Sequence, residues 1–213
     1  MSLRSYWLLI ACAAFCTALA GAWAARDLPP ASPRLETGTW LPHPRTVGAF
    51  ALVDQNGAAF GEAQLSGRPS LLYFGFTHST DVCPATLAML ARVSRSNVVP
   101  RLRVIFVTLD PARDTPARLD RYVRAFDPRF IGLTGSDRQI DALAARLGIG
   151  FERIDLPGGD YTIEDAAVLY LLDAAGHLDA IFTGPFAAPG LEQDLRRTAP
   201  WLTRSRGGTH ERA

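Results

Sequence analysis

The chain contains no lysine. All 22 of its basic residues are arginine, they face 21 acidic residues, and the formal net charge is +1. A balanced charge of this kind leaves no electrostatic footprint for nucleic acid. The arginine-only set reads instead as the base-composition bias of a GC-rich bacterial genome. Cysteine is scarce too: there are only Cys12, Cys16 and Cys83. A body of about 160 to 170 residues buries roughly 70% of its unfolded surface and needs no disulfide staples. Internal repeats and low-complexity segments are absent. So are a Walker loop, a dinucleotide fingerprint and a Ser-His-Asp arrangement, which removes the commonest nucleotide-dependent and serine-hydrolase readings.

What is present is globular, with 48% hydrophobic and 20% charged residues in 213. Residues 1–5 precede a charge-free run from Tyr6 to Ala25. At about 20 residues the run is long enough to cross a membrane as a helix. It reads as a membrane anchor or, alternatively, as a cleaved signal peptide, because "ALA" ending at Ala20 and "AWA" ending at Ala24 resemble cleavage sites. Its length favours the anchor. The charge bias places the N-terminus in the cytoplasm and the body outside. A bacterial inner-membrane, single-pass protein with a periplasmic domain is the expectation, or a secreted one if the run is cleaved. Cys12 and Cys16 lie inside this run, out of reach of the domain. Residues 26–37 are Pro-rich and read as a spacer, 38–202 as the folded domain, and 203–213 as a polar, disordered tail.

Within the body, "GTWLPHPRTVG" is expected to lie extended against the domain. "AFALVDQNGAAFGEAQLSG" predicts two strands around an Asn56-Gly57 turn. "SLLYFGF" and "LRVIFVTLD" are continuous apolar runs that predict strands buried on both faces. A helix follows the first near Asp81 to Pro84, with Leu87, Leu90 and Val93 at helical spacing. Asp114 or Thr115 is expected to cap a helix that starts at Pro116. "RFIGLTG" predicts a short strand, "SDRQIDALAARLGI" a helix, "AAVLYLLDAAGHLDAIF" a hairpin, and "GLEQDLRRTAPWL" the last helix. The order is a β-hairpin, then alternating strands and helices, then β-β-α. That layout is α/β and thioredoxin-like, with an extra N-terminal hairpin and a preceding transmembrane helix.

Cys83 falls where the first buried strand feeds a helix. A helix N-terminus carries partial positive charge and is expected to lower a thiol pKa there. Asp81 opposes that effect. An inert buried cysteine is the other reading.

The segment "LLYFGFTHSTDVCPATL" resembles the active-site segment of the Sco/SenC family. The resemblance continues through "VTLDPARDTPARLDRYVRAFDPRFIGLTGSDRQIDALAARLGI" and "YTIEDAAVLYLLDAAG". It covers about Gly38 to Trp201. It implies a thioredoxin fold tethered outside the cytoplasmic membrane, with copper as cofactor or cargo. The implied partners are a cytochrome oxidase subunit or another copper or thiol assembly protein. Family members carry a Cys-x-x-x-Cys pair and a distant His. Here the second cysteine position is Cys83, the first is Ser79, and the His position is Asp165. One thiol with two oxygen donors is a poor set for copper(I), which prefers thiolate and imidazole. His78 and Asp110 are candidates for supporting the site. His43, His177 and His210 are expected to be solvated. Without a sulfur at Ser79, Cys83 cannot cycle as a dithiol. The expected function is an accessory role in oxidase copper-centre assembly or thiol redox, without the usual tight copper site. An alternative is a single-cysteine thiol peroxidase. "TDVC" matches the Thr-x-x-Cys core of peroxiredoxins, although Phe76 stands where their Pro would be. Arg113 would then be the anion-stabilising residue, or more simply a salt-bridge partner of Asp110 or Asp114.

Overall fold

The computed structural model describes residues 32–202, and from Pro33 onward they form one compact unit. The expected anchor at 6–25, its preceding residues, the spacer up to residue 31 and the tail at 203–213 lie outside the described residues. Among the described residues no helix is long and apolar enough to cross a membrane.

Two apolar runs set the centre of the molecule. β4 (Ser70–Gly75) and β5 (Arg103–Thr108) are buried at every position and pair in parallel. β6 (Ile131–Thr134) adds in parallel beside β5. On the other flank β9 (Val168–Leu172) pairs antiparallel with β4, and β10 (His177–Thr183) with β9. β1 (Gly38–Thr46) closes that edge against β10. The hairpin of β2 (Ala51–Asp54) and β3 (Ala59–Gly61) closes the other through β2 and β6. The eight-stranded order is therefore β1-β10-β9-β4-β5-β6-β2-β3. Strands buried on both faces need apolar side chains on both, which is why the two central runs do not alternate. Short α1 (Glu62–Leu65) follows β3. Then come α2 (Val82–Ser96), α3 (Pro116–Arg124), α4 (Asp137–Leu147) and α5 (Ala188–Leu202). α2 packs against α5, and α3 lies on β6. This is the mixed thioredoxin-like layout that the element order predicts.

Several local expectations change. "GTWLPHPRTVG" forms a sheet strand, with a register shift between Trp40 and Arg45 that absorbs its prolines. The Asn56-Gly57 turn forms, with Gly57 at φ +79° and Asp54 Oδ1 accepting from the Asn56 and Ala58 amides. Its second strand lasts three residues before α1 begins. The hairpin is stitched to the sheet by buried Gln55, which donates to the Phe130 carbonyl at 3.2 Å and accepts from the Gly132 amide at 2.9 Å. Thr115 caps α3, accepting from the Arg118 amide. Asp114 does not cap, because its fully buried carboxylate is taken by three other donors described below. One element is absent from the sequence reading altogether: a separate two-stranded hairpin of β7 (Phe151–Asp155) and β8 (Tyr161–Asp165).

At the spacer's end, Glu36 and Thr37 are not free of the domain. Their amides donate to the buried Asp194 carboxylate of α5, both at 2.8 Å.

Candidate functional site

β4 ends at Gly75, a short loop follows, and α2 starts at Val82. Cys83 is thus the second residue of the helix, where backbone amides lack helical partners. Asp81 occupies the cap position but makes no side-chain cap bond. Ser79 does that work: its Oγ accepts from the Cys83 amide at 3.3 Å.

The Cys83 side chain turns inward and is 1% exposed. Its sulfur rests on the end of β4, where a Cβ on Gly75 would stand 2.6 Å from Sγ. Only glycine lets the thiol sit there. Burial pushes the Cys83 thiol pKa up. Hydrogen bonding to Ser79, Tyr73 and the Phe76 backbone opposes this less strongly, and the Asp165 charge adds to the rise. The lowered pKa expected from the helix N-terminus is therefore reversed, because desolvation outweighs the helix field at a site closed to water. The Tyr73 hydroxyl is buried without a well-formed hydrogen bond, although it lies within electrostatic reach of Cys83 and Thr86. Burial holds that phenol neutral.

Asp165 ends β8, half-buried, and burial raises its pKa to about 6. It feels both Cys83 and Tyr73. The links between these positions are the Cys83 amide donating to Ser79 and the Asp165 charge acting on the Cys83 thiol. Ser79, Asp165 and His78 line one cleft of about 610 Å³, with Asp81, Val82, Arg113 and Leu156 among its other walls, while Cys83 lies behind it. His78 is half-buried, and its Nδ1 is buried without a partner.

Two buried carboxylates hold this arrangement. Asp114 accepts from the Thr77 amide at 2.9 Å, the Thr77 hydroxyl at 2.5 Å and the Thr108 hydroxyl at 2.6 Å. It ties the loop before Cys83 to β5. Asp110, only 3% exposed, accepts from the Tyr161 hydroxyl at 2.7 Å and from Arg113 Nε at 2.5 Å. Arg113 continues to Asp160 at 2.9 Å and to the Tyr161 carbonyl at 3.0 Å. The Arg113 and Arg153 guanidiniums both stack on the Tyr161 ring, 3.6 and 3.5 Å from its centroid. Asp110 thus supports the site at one remove, by latching the hairpin that carries Asp165. Sequence reading missed Tyr161 and the hairpin; the Pro157-Gly158-Gly159 turn between two short runs was the signal for them.

Among the described residues no three His, Cys, Asp or Glu side chains are grouped as a metal site. The donors at the compared positions do not fit copper(I). They are one buried thiol whose pKa is raised, a hydroxyl already accepting from a helix amide, and a carboxylate. His43 is exposed on β1, and His177 faces buried Asp173 at 3.3 Å. Neither reaches the cleft lining, and His210 lies outside the described residues. A raised, buried thiol is also a poor peroxide nucleophile. Arg113 is a salt-bridge partner of Asp110 through Nε, the simpler of its two expected roles, while its Nη2 is buried without a hydrogen-bond partner.

Comparison with known proteins agrees with the fold. The family model described as SCO1/SenC matches residues 40–199. A SCO2-like protein of Rickettsia felis is 36% identical over 137 residues, covering 61% of this chain and 65% of that protein's length. The solution structure of apo Sco1 from Thermus thermophilus is similar with a TM-score of 0.68 and 31% identity. It covers 81% of this chain and 99% of that one. The structure of Bradyrhizobium japonicum ScoI with copper bound is similar with a TM-score of 0.63 and 32% identity, covering 73% and 98%.

Proposed function

Because this chain belongs to the SCO1/SenC family, we propose that it is an accessory protein in building the copper centre of cytochrome oxidase, and that it docks on a member of that pathway rather than carrying copper tightly itself. Its N-terminal apolar run would hold the domain outside the cytoplasmic membrane. The Bradyrhizobium japonicum structure it resembles holds copper, which supports the pathway.

The observation that carries the departure is the donor set at Ser79, Cys83 and Asp165. Copper(I) is soft and gains most from thiolate and imidazole. Two of the three positions here supply oxygen, and the third is a thiol disfavoured as thiolate by burial. The surrounding scaffold is built around these positions. Asp114 fixes the loop, Asp110 latches the hairpin, and Gly75 makes room for sulfur.

The test is a copper(I) competition titration of the full chain in nonionic detergent, wild type against the Ser79→Cys/Asp165→His double variant. The expected outcome is tight one-equivalent binding only in the double variant. Tight one-equivalent binding by wild type would overturn the reading. A thiol peroxidase predicts instead rapid peroxide consumption that Cys83→Ser abolishes, and the buried, raised thiol gives it less support.

A further inference from the structure

Among the described residues two large apolar side chains stand out on the surface, Val82 at 54% exposure and Leu156 at 43%. Both rim the cleft in front of Cys83. Val82 and Asp81 are shared with a second groove of about 250 Å³ along the exposed side of α2. Met89, Pro185 and Phe186 line that groove. Cleft and groove therefore form one surface, divided only by the Asp81–Val82 wall.

The charge on this surface that no ion pair neutralises is acidic. Arg113 is the arginine of the cleft lining, and Asp110 and Asp160 already pair with it; Arg153, stacked on the Tyr161 ring, pairs with Asp155. Asp81, Glu164 and Asp165 make no ion pair among the described residues. Asp165 is the telling member. It is half-buried on the cleft wall and makes no ion pair among the described residues. A group in that position gains most from a cation delivered from outside.

We propose that this surface docks an extended segment of another protein in which a cationic side chain stands next to a bulky apolar one. The cation sits against Glu164 and Asp165. The apolar side chain enters the groove between Val82 and Phe186. The uncompensated acidic charge selects the cation, and the exposed apolar wall selects its neighbour. Acidic segments are repelled by the same carboxylates. This inference rests on the docking reading above and names the chemistry of the partner at that same site.

The test is two-dimensional amide NMR of the full chain in nonionic detergent. The probes are a short peptide with two arginines flanking a phenylalanine, its glutamate counterpart, and the wild-type chain against three single variants. The arginine peptide should give saturable shifts centred on Val82, Ala85 and Glu164, and the glutamate peptide none. Glu164→Gln and Asp165→Asn should each weaken binding by about 3- to 5-fold, with the effect shrinking in high salt. Val82→Ser should weaken it by about 5- to 10-fold through lost apolar contact. All three positions have exposed or half-exposed side chains, so the same spectra report whether each variant is folded. Equal shifts with the glutamate peptide, shifts centred elsewhere, or no saturable shift at millimolar peptide would overturn the inference. The copper titration reads the parent proposal independently. Tight copper with peptide docking intact sinks only the copper-free reading, and no copper with unmoved amides sinks only this surface.

Discussion

Asp165 carries a charge that the fold does little to accommodate. Its folded pKa of about 6 lies above the ordinary 3.8, with burial as the cause. The folded state therefore holds the proton more tightly than the unfolded chain. The resulting penalty on folding is absent below about pH 4, grows as pH rises through 6, and is complete above that. A shift of this size corresponds to at most roughly 3 kcal/mol. The carboxylate is half-exposed, and solvent screening reduces the figure to about 1 kcal/mol. Asp165→Asn should accordingly stabilise the domain by about 1 kcal/mol at pH 7.5 and leave it unchanged at pH 4. Urea unfolding at the two pH values checks this, and an equal effect at both would remove the titration from the account. Cys83 shows the same principle acting on a thiol. The helix N-terminus was legible in the sequence, but the depth of burial was not. That depth depends on Gly75, eight positions back, having no side chain.

The β7–β8 hairpin is the element on which the site depends. Little apolar burial fastens it: Phe151–Asp155 is mostly exposed, and Ile163 is the buried residue of β8. Its fixing points are polar, namely the Tyr161 hydroxyl on Asp110, Arg113 on Asp160 and on the Tyr161 carbonyl, and the two guanidiniums on the Tyr161 ring. That explains why the hairpin was illegible. A strand without an alternating buried face gives no period to read, and its anchors lie about fifty residues away in sequence. Within "DPARDT" the role of Asp114 is hidden for the same reason. Asp114 looks like a helix cap by position, yet its partners Thr77 and Thr108 are visible only in the fold. Where the pattern was strong the reading held, as with the two fully buried strands, the Asn56-Gly57 turn and the Thr115-Pro116 start of α3. Ser79, Cys83 and Asp165 were found through family resemblance, not through periodicity. Tyr161→Phe deletes one hydrogen bond to a buried carboxylate that keeps its Arg113 partner. It should cost about 1 kcal/mol and speed hydrogen exchange selectively across residues 151–165. Uniform acceleration over the whole sheet would show instead that the hairpin is not a separate unit of stability.

For the whole molecule, the boundary of the folded body matters more than its length suggests. Sequence composition places residues 26–37 in a spacer and starts the domain at Gly38. The structure ties Glu36 and Thr37 to α5 through Asp194, which accepts both amides and the Thr37 hydroxyl, each at 2.8 Å. Arg197 reinforces the junction through Glu36 at 2.6 Å. Asp194 is 0% exposed. Removing its three donors would leave a buried carboxylate with Arg197 at 3.6 Å as its one remaining ion pair among the described residues. A buried charge stripped of hydrogen bonds is costly, on the order of 2–3 kcal/mol. A domain of this size loses about 2–4 °C in melting temperature per kcal/mol. A body beginning at Gly38 should therefore melt about 4–12 °C below one beginning at Pro33. Asp194→Asn should narrow that gap, since the neutral amide loses less when its partners are cut away. Differential scanning calorimetry of the four proteins decides it. Equal melting of the two bodies would mean that the junction forms without stabilising the fold, and that the spacer does end where composition places it.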